Sequence, residues 1–429
     1  MHSFRYQQGK LYCESTDLAL LAEQHATPLY VYSEQTILDH YRRLNSALEP
    51  LDREICYAVK ANSNLAILRI LAEEGAGFDI VSGGELYRII TAGGDPAKCT
   101  FAGVGKTREE IAYALYNNIG SFNIESEEEL LAIDEVASSL DRKAPIAVRV
   151  NPDVDAKTHK YISTGKIENK FGIGLDRVEA VYEMAAGLNH LELKGLQTHI
   201  GSQITEPKPF ADAIDKIVPV ARHLRDRFGI QFFSIGGGIG IVYQGSLESG
   251  ERVWWQQQEN QAMSIEEYAG AIVPRLQSLR MRVLLEPGRF LVGNAGVLLT
   301  RVLYRKKTPN KDFIIVDVGM NDLIRPALYQ GYHELVPLNE TGNMIRADVV
   351  GPVCESGDFI ALDREVADVK AGDLLAIMSA GAYGFSMASN YNSRPLPAEV
   401  LVHGKTHQLI RRRQNYADLV QLEIDATEE

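Results

Sequence analysis

Cysteine and tryptophan are scarce in this sequence of 429 residues, which has four cysteines and two tryptophans. The cysteines are far apart and form no C-x-x-C pair, so neither a disulfide framework nor a cysteine zinc site is expected. No apolar run reaches the length of a membrane span, and the first residues contain no apolar stretch of the kind that secretory signals carry. These absences predict a cytoplasmic protein without a membrane or metal partner.

A surplus of positive charge is also missing. Lysine and arginine number 44 against 57 aspartates and glutamates, which gives a formal net charge of −13. This balance disfavours nucleic acid and anionic membranes as partners, because both bind basic surfaces. The remaining composition, 45% hydrophobic and 24% charged, is that of an ordinary globular protein. Its length suits two domains, or one large barrel with an additional domain.

Short apolar runs alternate with stretches of helical periodicity through the first two thirds of the chain. Eight of these runs are predicted to be strands: Glu54–Val59, Gly77–Val81, Cys99–Ala102, Ser121–Ile124, Pro145–Val150, Leu193–Thr198, Phe232–Ile235 and Arg282–Leu285. Eight strands separated by helices over roughly 250 residues are typical of an α/β fold of the (β/α)8 TIM-barrel type. A doubly wound open sheet is the alternative, although it usually has fewer strands.

Beyond residue 294 the pattern changes to β-rich runs separated by turn residues. The predicted strands there are Val297–Tyr304, Phe313–Val318, Ala347–Val353, Leu374–Met378, Ala398–Val402, His407–Arg411 and Asp418–Glu423. The run Leu29–Tyr32 is expected to join them, because a strand before the barrel has no other sheet to pair with. We therefore predict a barrel over residues 33–292, and an all-β domain of sandwich or β-barrel type from residues 1–32 and 293–429.

Each predicted barrel strand is followed by a polar residue or a glycine. These residues are Lys60, Ser82, Gly103, Glu125, Asn151, His199, Gly236 and Glu286. Barrel enzymes carry their chemistry at the carboxyl ends of the strands, so this end is the expected active site. A lysine such as Lys60, at the end of a buried strand, either extends its ammonium into solvent or has a chemical task.

Two glycine-containing segments could bind phosphate. Gly236–Gly240 follows the seventh strand, where barrel loops frequently hold a phosphate, although a tight turn would also need small residues. The segment does not match G-x-G-x-x-G, so dinucleotide binding is not indicated. Gly103–Thr107 resembles the end of a P-loop but has Thr100 where the leading glycine is required. We interpret its lysine, Lys106, as a solvated residue at a helix start.

Other candidate residues have ordinary explanations when each is taken alone. His199 could be a structural histidine, Glu286 could form a local ion pair with Arg289, and Cys354 could be a buried small hydrophobe. Together, however, a lysine, an imidazole, a carboxylate and a glycine-rich loop at one barrel mouth suit pyridoxal phosphate. That cofactor requires an amine, a partner for its ring nitrogen, a flat contact for its ring and a phosphate anchor.

The sequence also resembles a known family. The segments similar to the fold type III, alanine-racemase-like pyridoxal phosphate decarboxylases are Tyr57–Asn62, His199–Gln203, Gly236–Gly240, Glu286–Arg289 and Cys354–Asp358. The segments that resemble the diaminopimelate decarboxylases among them are Asp155–His159, Glu168–Ile173 and Met320–Tyr329. The resemblance covers nearly the whole chain. The one departure is an insertion rich in tryptophan and glutamine at Trp254–Gln261.

The resemblance implies decarboxylation of meso-2,6-diaminopimelate to L-lysine and CO2, the last step of lysine biosynthesis, in a homodimer with shared active sites. It implies that pyridoxal 5'-phosphate is attached to Lys60, that His199 stacks on its ring and that Glu286 pairs with the ring nitrogen. Cys354 would return a proton to the substrate carbon in the active site of the other subunit.

The resemblance also implies further contacts. The cofactor would be bound in addition by Asp79, Glu85, Ser202, Gly237, Gly238, Pro287, Gly288, Arg289 and Tyr383. The substrate would be bound by Arg289, Arg325, Tyr329, Glu355 and Tyr383, since guanidinium groups suit its far carboxylate and a carboxylate suits its far ammonium. The segment Thr158–Lys170 would act as a lid.

Three alternatives remain at the level of sequence. A racemase of the same fold would need a second proton-transfer residue, which is typically a tyrosine. Another amino-acid decarboxylase, such as one for ornithine or arginine, would not need the segment Arg325–Tyr329. A non-catalytic pyridoxal phosphate carrier is typically a lone barrel, whereas this chain has a predicted β domain.

Overall fold

The computed structural model describes residues 1–154, 170–257 and 262–425. The strands are β1 (Phe4–Gln7), β2 (Lys10–Cys13), β3 (Thr16–Asp17), β4 (Leu29–Ser33), β5 (Arg53–Ala58), β6 (Gly77–Ile80), β7 (Cys99–Phe101), β8 (Ser121–Ile124), β9 (Ala144–Asn151), β10 (Ile173–Gly174), β11 (Leu191–Thr198), β12 (Phe232–Ser234), β13 (Arg282–Leu285), β14 (Gly296–Lys307), β15 (Asp312–Val316), β16 (Leu335–Pro337), β17 (Met344–Val350), β18 (Phe359–Ala367), β19 (Leu374–Ile377), β20 (Ala398–His403) and β21 (Thr406–Arg411). The helices are α1 (Leu18–His25), α2 (Glu34–Ala47), α3 (Leu65–Glu73), α4 (Gly83–Ala92), α5 (Arg108–Tyr116), α6 (Glu127–Ser139), α7 (Val178–Ala186), α8 (Lys208–Phe228), α9 (Ile265–Gln277), α10 (Arg289–Val292), α11 (Arg325–Tyr329) and α12 (Tyr416–Asp425).

Eight parallel strands close into a barrel in the unit formed by residues 38–241 and 261–291. Their order around the barrel is β5, β6, β7, β8, β9, β11, β12 and β13, and β13 pairs again with β5. The two-residue strand β10 is attached to β9. The predicted TIM barrel is therefore confirmed, and the open doubly wound sheet is excluded because β8 pairs with β9.

Capping side chains start several barrel helices directly after the strands. Ser82 accepts a hydrogen bond from the third residue of α4, and Ser126 does the same for α6. Thr107 and Glu110 cap α5 reciprocally, which satisfies amide groups that the helix leaves without a partner. These caps keep the loops after the strands short, so the residues at the carboxyl end of the barrel have fixed positions.

Lys106 is not solvated, contrary to the prediction. Its side chain is only 1% exposed. Its ammonium donates to the carbonyl oxygens of Gly103 and Asn123, each at 2.8 Å, and to the carboxylate of Glu129 at 2.7 Å. A buried ammonium needs such partners to offset its desolvation. Lys106 therefore ties two neighbouring strand-to-helix loops together.

The second unit comprises residues 1–37, 242–260 and 292–429 and is rich in β-structure. Its larger sheet has the order β18-β17-β15-β14-β4-β20-β21, with β19 paired to β14 and β16 paired to β19. The N-terminal strand β4 pairs with β14 and β20, as the sequence predicted. Leu29 and Val31 of β4 pack with Val297, Leu299 and Val400 in the core of this unit.

The predicted strand Asp418–Glu423 is wrong, because this segment is part of helix α12. Asn415 and Asp418 each accept a hydrogen bond from the other's amide, at 3.1 and 2.8 Å, and this reciprocal cap starts the helix. Strand β18 was not predicted. Its pairing with β17 contains register shifts, which interrupt the alternation of apolar residues on which strand prediction depends.

Two predictions fall wholly or partly outside the described residues. Residues 158–169 of the predicted lid lie there, and so do residues 258–261 of the insertion. The described part of the insertion begins with the single turn Trp254–Gln256, in which the indole of Trp255 donates to the carbonyl of Ser249 at 2.8 Å.

Within the described ranges, no helix is both long and apolar enough to cross a membrane.

Candidate active site

Lys60 lies at the carboxyl end of the barrel, in the single turn Val59–Ala61 that follows β5. Its Nζ is 2.9 Å from Oδ2 of Asp79, which is on the neighbouring strand β6. The lysine side chain is 42% exposed, whereas that of Asp79 is 1% exposed. The other carboxylate oxygen of Asp79 is buried without a protein partner. A buried carboxylate thus holds a reachable amine at the mouth of the barrel.

Glu286 follows β13 and is buried close to the same acid. Its two oxygens accept hydrogen bonds from Ser234 Oγ at 2.7 Å and from Gln197 Nε2 at 2.9 Å. Desolvation raises the pKa of Glu286 to about 7, and the charge of Asp79 acts in the same direction. Glu85 accepts a hydrogen bond from the Val81 amide at 2.7 Å, and burial raises its pKa to about 7 as well. This end of the barrel is therefore rich in buried acid groups. A positively charged ligand would stabilise their ionised forms.

The raised pKa of Glu286 predicts a pH effect on stability. The folded-state pKa lies above the ordinary value of 4.5, so the folded protein holds this proton more tightly than the unfolded chain. The contribution of Glu286 to the free energy of unfolding should therefore fall as the pH rises from about 4.5 to about 7. Denaturant unfolding of cofactor-free wild type and Glu286→Gln will check this. The wild type should lose stability relative to the variant over that range, and a difference independent of pH would contradict it.

His199 follows β11 and is held by the glycine loop. Its Nδ1 accepts a hydrogen bond from the Gly237 amide at 3.1 Å. Desolvation, together with the positive charges of Arg149 and Lys60, lowers its pKa well below the ordinary value. Arg149 is itself buried and paired with Glu125 at 2.7 Å. The imidazole is therefore neutral, and the hydrogen bond from the Gly237 amide to Nδ1 fixes its orientation.

The glycine loop after β12 needs its glycines for close packing. Gly236 and Gly238 have φ of +71° and +105°, which side chains rarely adopt. A Cβ at Gly237 would lie 2.2 Å from the carbonyl oxygen of Glu286, and one at Gly238 would lie 2.4 Å from that of Gly201. The need for small residues in a tight turn, which was the alternative to phosphate binding, is therefore sufficient to explain these glycines. The same packing also fixes the amide groups that the loop can offer to an anion.

A pair of alanine substitutions tests this packing. We expect Gly237→Ala to lower the free energy of unfolding by about 1–3 kcal/mol or more, because backbone atoms would have to shift. Gly270→Ala is the matched control, since Gly270 lies inside α9 with open space around its Cβ position. That variant should gain about 0.5–1 kcal/mol. Equal stability of the two variants in denaturant unfolding would contradict the packing argument.

The loop after β13 brings the remaining barrel candidates together. The Pro287 carbonyl accepts a hydrogen bond from the Ala58 amide at 3.1 Å, and a Cβ at Gly288 would lie 3.0 Å from that of Ala61. The Glu286 loop is therefore packed against the turn that carries Lys60. Arg289 is buried and donates to Ser202 Oγ at 3.0 Å. The local Glu286–Arg289 ion pair considered from the sequence does not form.

Cys354 and Glu355 belong to the β-rich unit. Cys354 is exposed, while the three other cysteines are buried and all four are free thiols. Its amide donates to the Asn392 side chain at 3.3 Å. Glu355 accepts a hydrogen bond from the hydroxyl of Tyr391, which raises the pKa of that tyrosine. The interpretation of Cys354 as a buried hydrophobe is wrong, because its thiol is accessible for chemistry.

The candidate substrate residues of the same unit lie in and beyond α11. Arg325 is buried, and its Nη1 is 2.8 Å from Nε2 of His333. His333 Nδ1 is 2.8 Å from the Met378 carbonyl, so it donates there and leaves Nε2 to accept from the guanidinium. The guanidinium also lies 4.6 Å above the ring of Tyr243. Tyr329 and Tyr383 are half-buried, and Tyr383 has a left-handed backbone with φ of +56°.

Sequence reasoning missed several supporting residues. Gln197 and Ser234 bind Glu286, and their signal was a polar side chain within an otherwise apolar strand. His333 and Tyr243 position Arg325, but nothing in the sequence distinguishes them. In the described part of the chain, no group of three or more histidine, cysteine, aspartate or glutamate side chains could hold a metal ion.

The barrel residues fit pyridoxal phosphate on two observations. Asp79 has a buried oxygen without a partner, and Glu286 is a desolvated acid with a raised pKa. The cofactor's ring nitrogen, carrying a proton, would add a positively charged donor to the two neutral donors that Glu286 already has, and would thereby favour the ionised carboxylate. The amine of Lys60 is accessible beside Asp79, and its charge also acts on the pKa of Glu286.

Comparisons with known proteins agree with this chemistry. The family described as "Pyridoxal-dependent decarboxylase, pyridoxal binding domain" matches residues 34–293. The chain is 49% identical to the diaminopimelate decarboxylase of Pseudomonas aeruginosa over 421 residues, 98% of each chain. It is 47% identical to that of Vibrio cholerae over 427 residues, 99% of each. The structure of the M. jannaschii diaminopimelate decarboxylase in co-complex with L-lysine has a TM-score of 0.90 at 37% identity, and the match covers 98% of this chain and 97% of that one.

A (β/α)8 barrel with an added β-rich unit, and with a lysine beside two buried acids at its mouth, defines the class of fold type III pyridoxal phosphate enzymes. The chain belongs to the pyridoxal-dependent decarboxylase family and, within it, to the diaminopimelate decarboxylases. The expectations of a decarboxylase and of pyridoxal 5'-phosphate as its cofactor are thereby confirmed.

Proposed function

We propose that this protein converts meso-2,6-diaminopimelate to L-lysine and CO2, as the last step of lysine biosynthesis. The observation that carries the proposal is the accessible Lys60 amine held by Asp79 at the carboxyl end of the barrel. When bound, pyridoxal phosphate supplies an electron-withdrawing ring that takes up the electron pair left by departing CO2. The residues of the chain bind and orient the cofactor and the substrate, and they move protons.

Lys60 would hold the cofactor through Nζ, and Asp79 orients that amine. Glu286 would accept a hydrogen bond from the ring nitrogen and favour a proton there, and its hydrogen bonds from Ser234 and Gln197 fix the position of its carboxylate. His199 stays neutral and presents a flat face to the ring.

Anion binding falls to the loops after β11, β12 and β13. The amides of Gly238 and Gly288 and the side chains of Ser202 and Arg289 would bind the phosphate, with Gly237 and Pro287 shaping the loop. Glu85 adds negative charge near Lys60, and Tyr383 is assigned to the phosphate as well as to the substrate.

At the far end of the substrate, Arg325 and Arg289 bind the carboxylate, Glu355 binds the ammonium and Tyr329 contacts the chain. The second carboxylate of diaminopimelate would form charge-assisted hydrogen bonds with these guanidinium groups, and a substrate without it would forgo them. The preference for diaminopimelate over simpler diamino acids follows from this.

The decisive experiment combines a spectrum with an assay. Purified protein should absorb near 420 nm, roughly where the lysine-bound cofactor absorbs, and borohydride should bleach that band. CO2 release should then be measured across diaminopimelate, ornithine, arginine and lysine. Release from diaminopimelate alone supports the proposal. A colourless protein, or preferential release from ornithine or arginine, would overturn it.

Arg325→Met tests the substrate assignment. We expect kcat/KM for diaminopimelate to fall roughly 10- to 100-fold, because a charge-assisted pairing is lost, while cofactor loading, measured as the absorbance near ~420 nm, is unchanged. Arg346→Met is the control, since Arg346 is an exposed arginine of the same unit paired with Asp363. If the absorbance fell together with the turnover of diaminopimelate, Arg325 would have a structural role instead.

The protein is also proposed to be a cytoplasmic homodimer. Its four free thiols and the absence of a membrane-crossing helix within the described ranges are consistent with that location. In the dimer, Cys354 of the partner subunit would return the proton to the substrate carbon. Exposure of the Cys354 thiol supports this role, since a residue acting on another subunit must be accessible.

A further inference from the structure

A cavity of about 690 Å³ opens at the amino-terminal end of the barrel strands. Its wall includes Glu54 of β5, Thr100 of β7, Ser121 of β8 and Arg282 of β13, each one of the first two residues of its strand. Lys60 follows the last residue of β5, so the cavity lies at the opposite end of the barrel from the proposed active site. Its volume is within the range of small-molecule sites.

Two buried polar atoms in this wall have no protein partner. Thr100 is 3% exposed, and its Oγ1 makes no hydrogen bond. Oε1 of Glu54 is buried in the same way, while its Oε2 lies 3.6 Å from Arg282. Desolvation raises the pKa of the Glu54 carboxyl. Buried polar groups without partners are rare in proteins, because each costs free energy. The carboxylate oxygen of Glu54 can be satisfied by a donor from a ligand, and the hydroxyl of Thr100 can accept from the same donor.

The rim of the cavity is basic in a chain of net charge −13. Four cations, Lys98, Lys194, Arg280 and Arg282, face only two acids, Asp52 and Glu54, among the lining residues. Arg282 is engaged by these acids at 3.4 and 3.6 Å, and Lys194 is paired with Glu192 at 2.6 Å. For Arg280, the residues that the structure describes provide no ion-pair partner. An anionic group would therefore be bound at this rim.

Apolar side chains complete the lining. They are Leu51, Phe232, Leu276, Met281 and Leu284. We propose that this cavity binds an α-amino acid with an apolar side chain, its carboxylate at Arg280 and Lys98 and its ammonium at Glu54 and Thr100. The carboxylate of such a zwitterion accepts hydrogen bonds from the cations at the rim. Its ammonium donates hydrogen bonds to the two oxygen atoms in the wall that lack a partner. The site is separate from Lys60 and does not depend on the proposed reaction.

The probe is L-leucine, and the protein is holoenzyme treated with borohydride, in which an amino acid cannot exchange at Lys60. Calorimetric titration should give saturable binding. Isocaproate lacks the ammonium and isoamylamine lacks the carboxylate, and each should bind roughly tenfold more weakly or worse. Equal binding of isocaproate and leucine would overturn the zwitterion assignment, and no saturable leucine binding would overturn the site.

Variants locate the binding. Glu54→Gln and Arg280→Asn should each weaken leucine binding roughly tenfold or more, and asparagine tolerates the φ of +52° at residue 280. Arg108→Ala, which removes an exposed cation elsewhere on the barrel, is the control and should bind leucine like wild type. Thermal unfolding of these samples, and decarboxylation without leucine by unreduced portions of the same preparations, show that the variants are folded. Unchanged leucine affinity in folded Glu54→Gln and Arg280→Asn would place binding elsewhere and overturn the proposal.

Discussion

Replacement of Lys60 by arginine is expected to abolish decarboxylation, with a loss of roughly 1000-fold or more in kcat. Arginine keeps a positive charge beside Asp79, so the buried carboxylate retains a partner, but a guanidinium cannot take over the covalent role of the amine. The absorbance near ~420 nm and its bleaching by borohydride should both disappear. Lys60→Ala should be equally inactive and also less stable, because it leaves Asp79 buried without its cation.

The matched control is Lys208→Ala, in which an exposed lysine paired with Asp212 on α8 is removed. It should keep the spectrum and the activity of wild type. If Lys60→Arg retained the chromophore and turned over diaminopimelate at a rate near that of wild type, the barrel lysine would have no covalent role.

Replacement of Cys354 by alanine is the prediction with the second-largest effect. We expect kcat to fall roughly 100- to 10,000-fold, the usual range for loss of a positioned proton donor. Cofactor loading should be unchanged, because no cofactor contact is assigned to Cys354. Iodoacetamide should inactivate the wild type by modifying Cys354 alone, because the other three thiols are buried and burial raises their pKa values. Modification at another cysteine that accounts for the inactivation would contradict this.

Mixing the two inactive variants tests the shared site. Dimers that combine one Lys60→Arg chain with one Cys354→Ala chain would contain one intact site, made from the unaltered residue of each chain. Random pairing places half of the dimers in this mixed state, so about a quarter of wild-type activity should return. Activity that stays at the level of the separate variants after subunit exchange would show that each chain uses its own Cys354.

The barrel was predictable because its signals are local. Each strand is a short apolar run that ends on a polar residue or glycine, and Ser121–Ile124 and Arg282–Leu285 were predicted with the bounds that β8 and β13 have. Closure of the sheet followed from the number of strands, since the doubly wound alternative has fewer. The placement of β4 followed from the lack of any other sheet to pair with.

The sequence-based predictions were wrong where contacts between distant parts of the chain, or between side chains, determine the local structure. Lys106 was interpreted as solvated because its acceptors, two carbonyl oxygens and Glu129, are separated from it in sequence or belong to the backbone. Helix α12 depends on a cap between Asn415 and Asp418 that a strand-like apolar pattern conceals. The hydrogen bond between Arg325 and His333 joins two side chains, and the periodicity of apolar residues in the sequence does not predict such contacts.

The position of β4 between β14 and β20 also sets an order of events during synthesis. Roughly 260 residues separate β4 from its antiparallel neighbour β14, and a ribosome adds about 5–20 residues per second. Strand β4 therefore waits on the order of 13–50 s before either partner emerges. During that interval its edges are unpaired, so a nascent chain arrested before residue 296 should bind chaperones through this strand, whereas a complete chain should not.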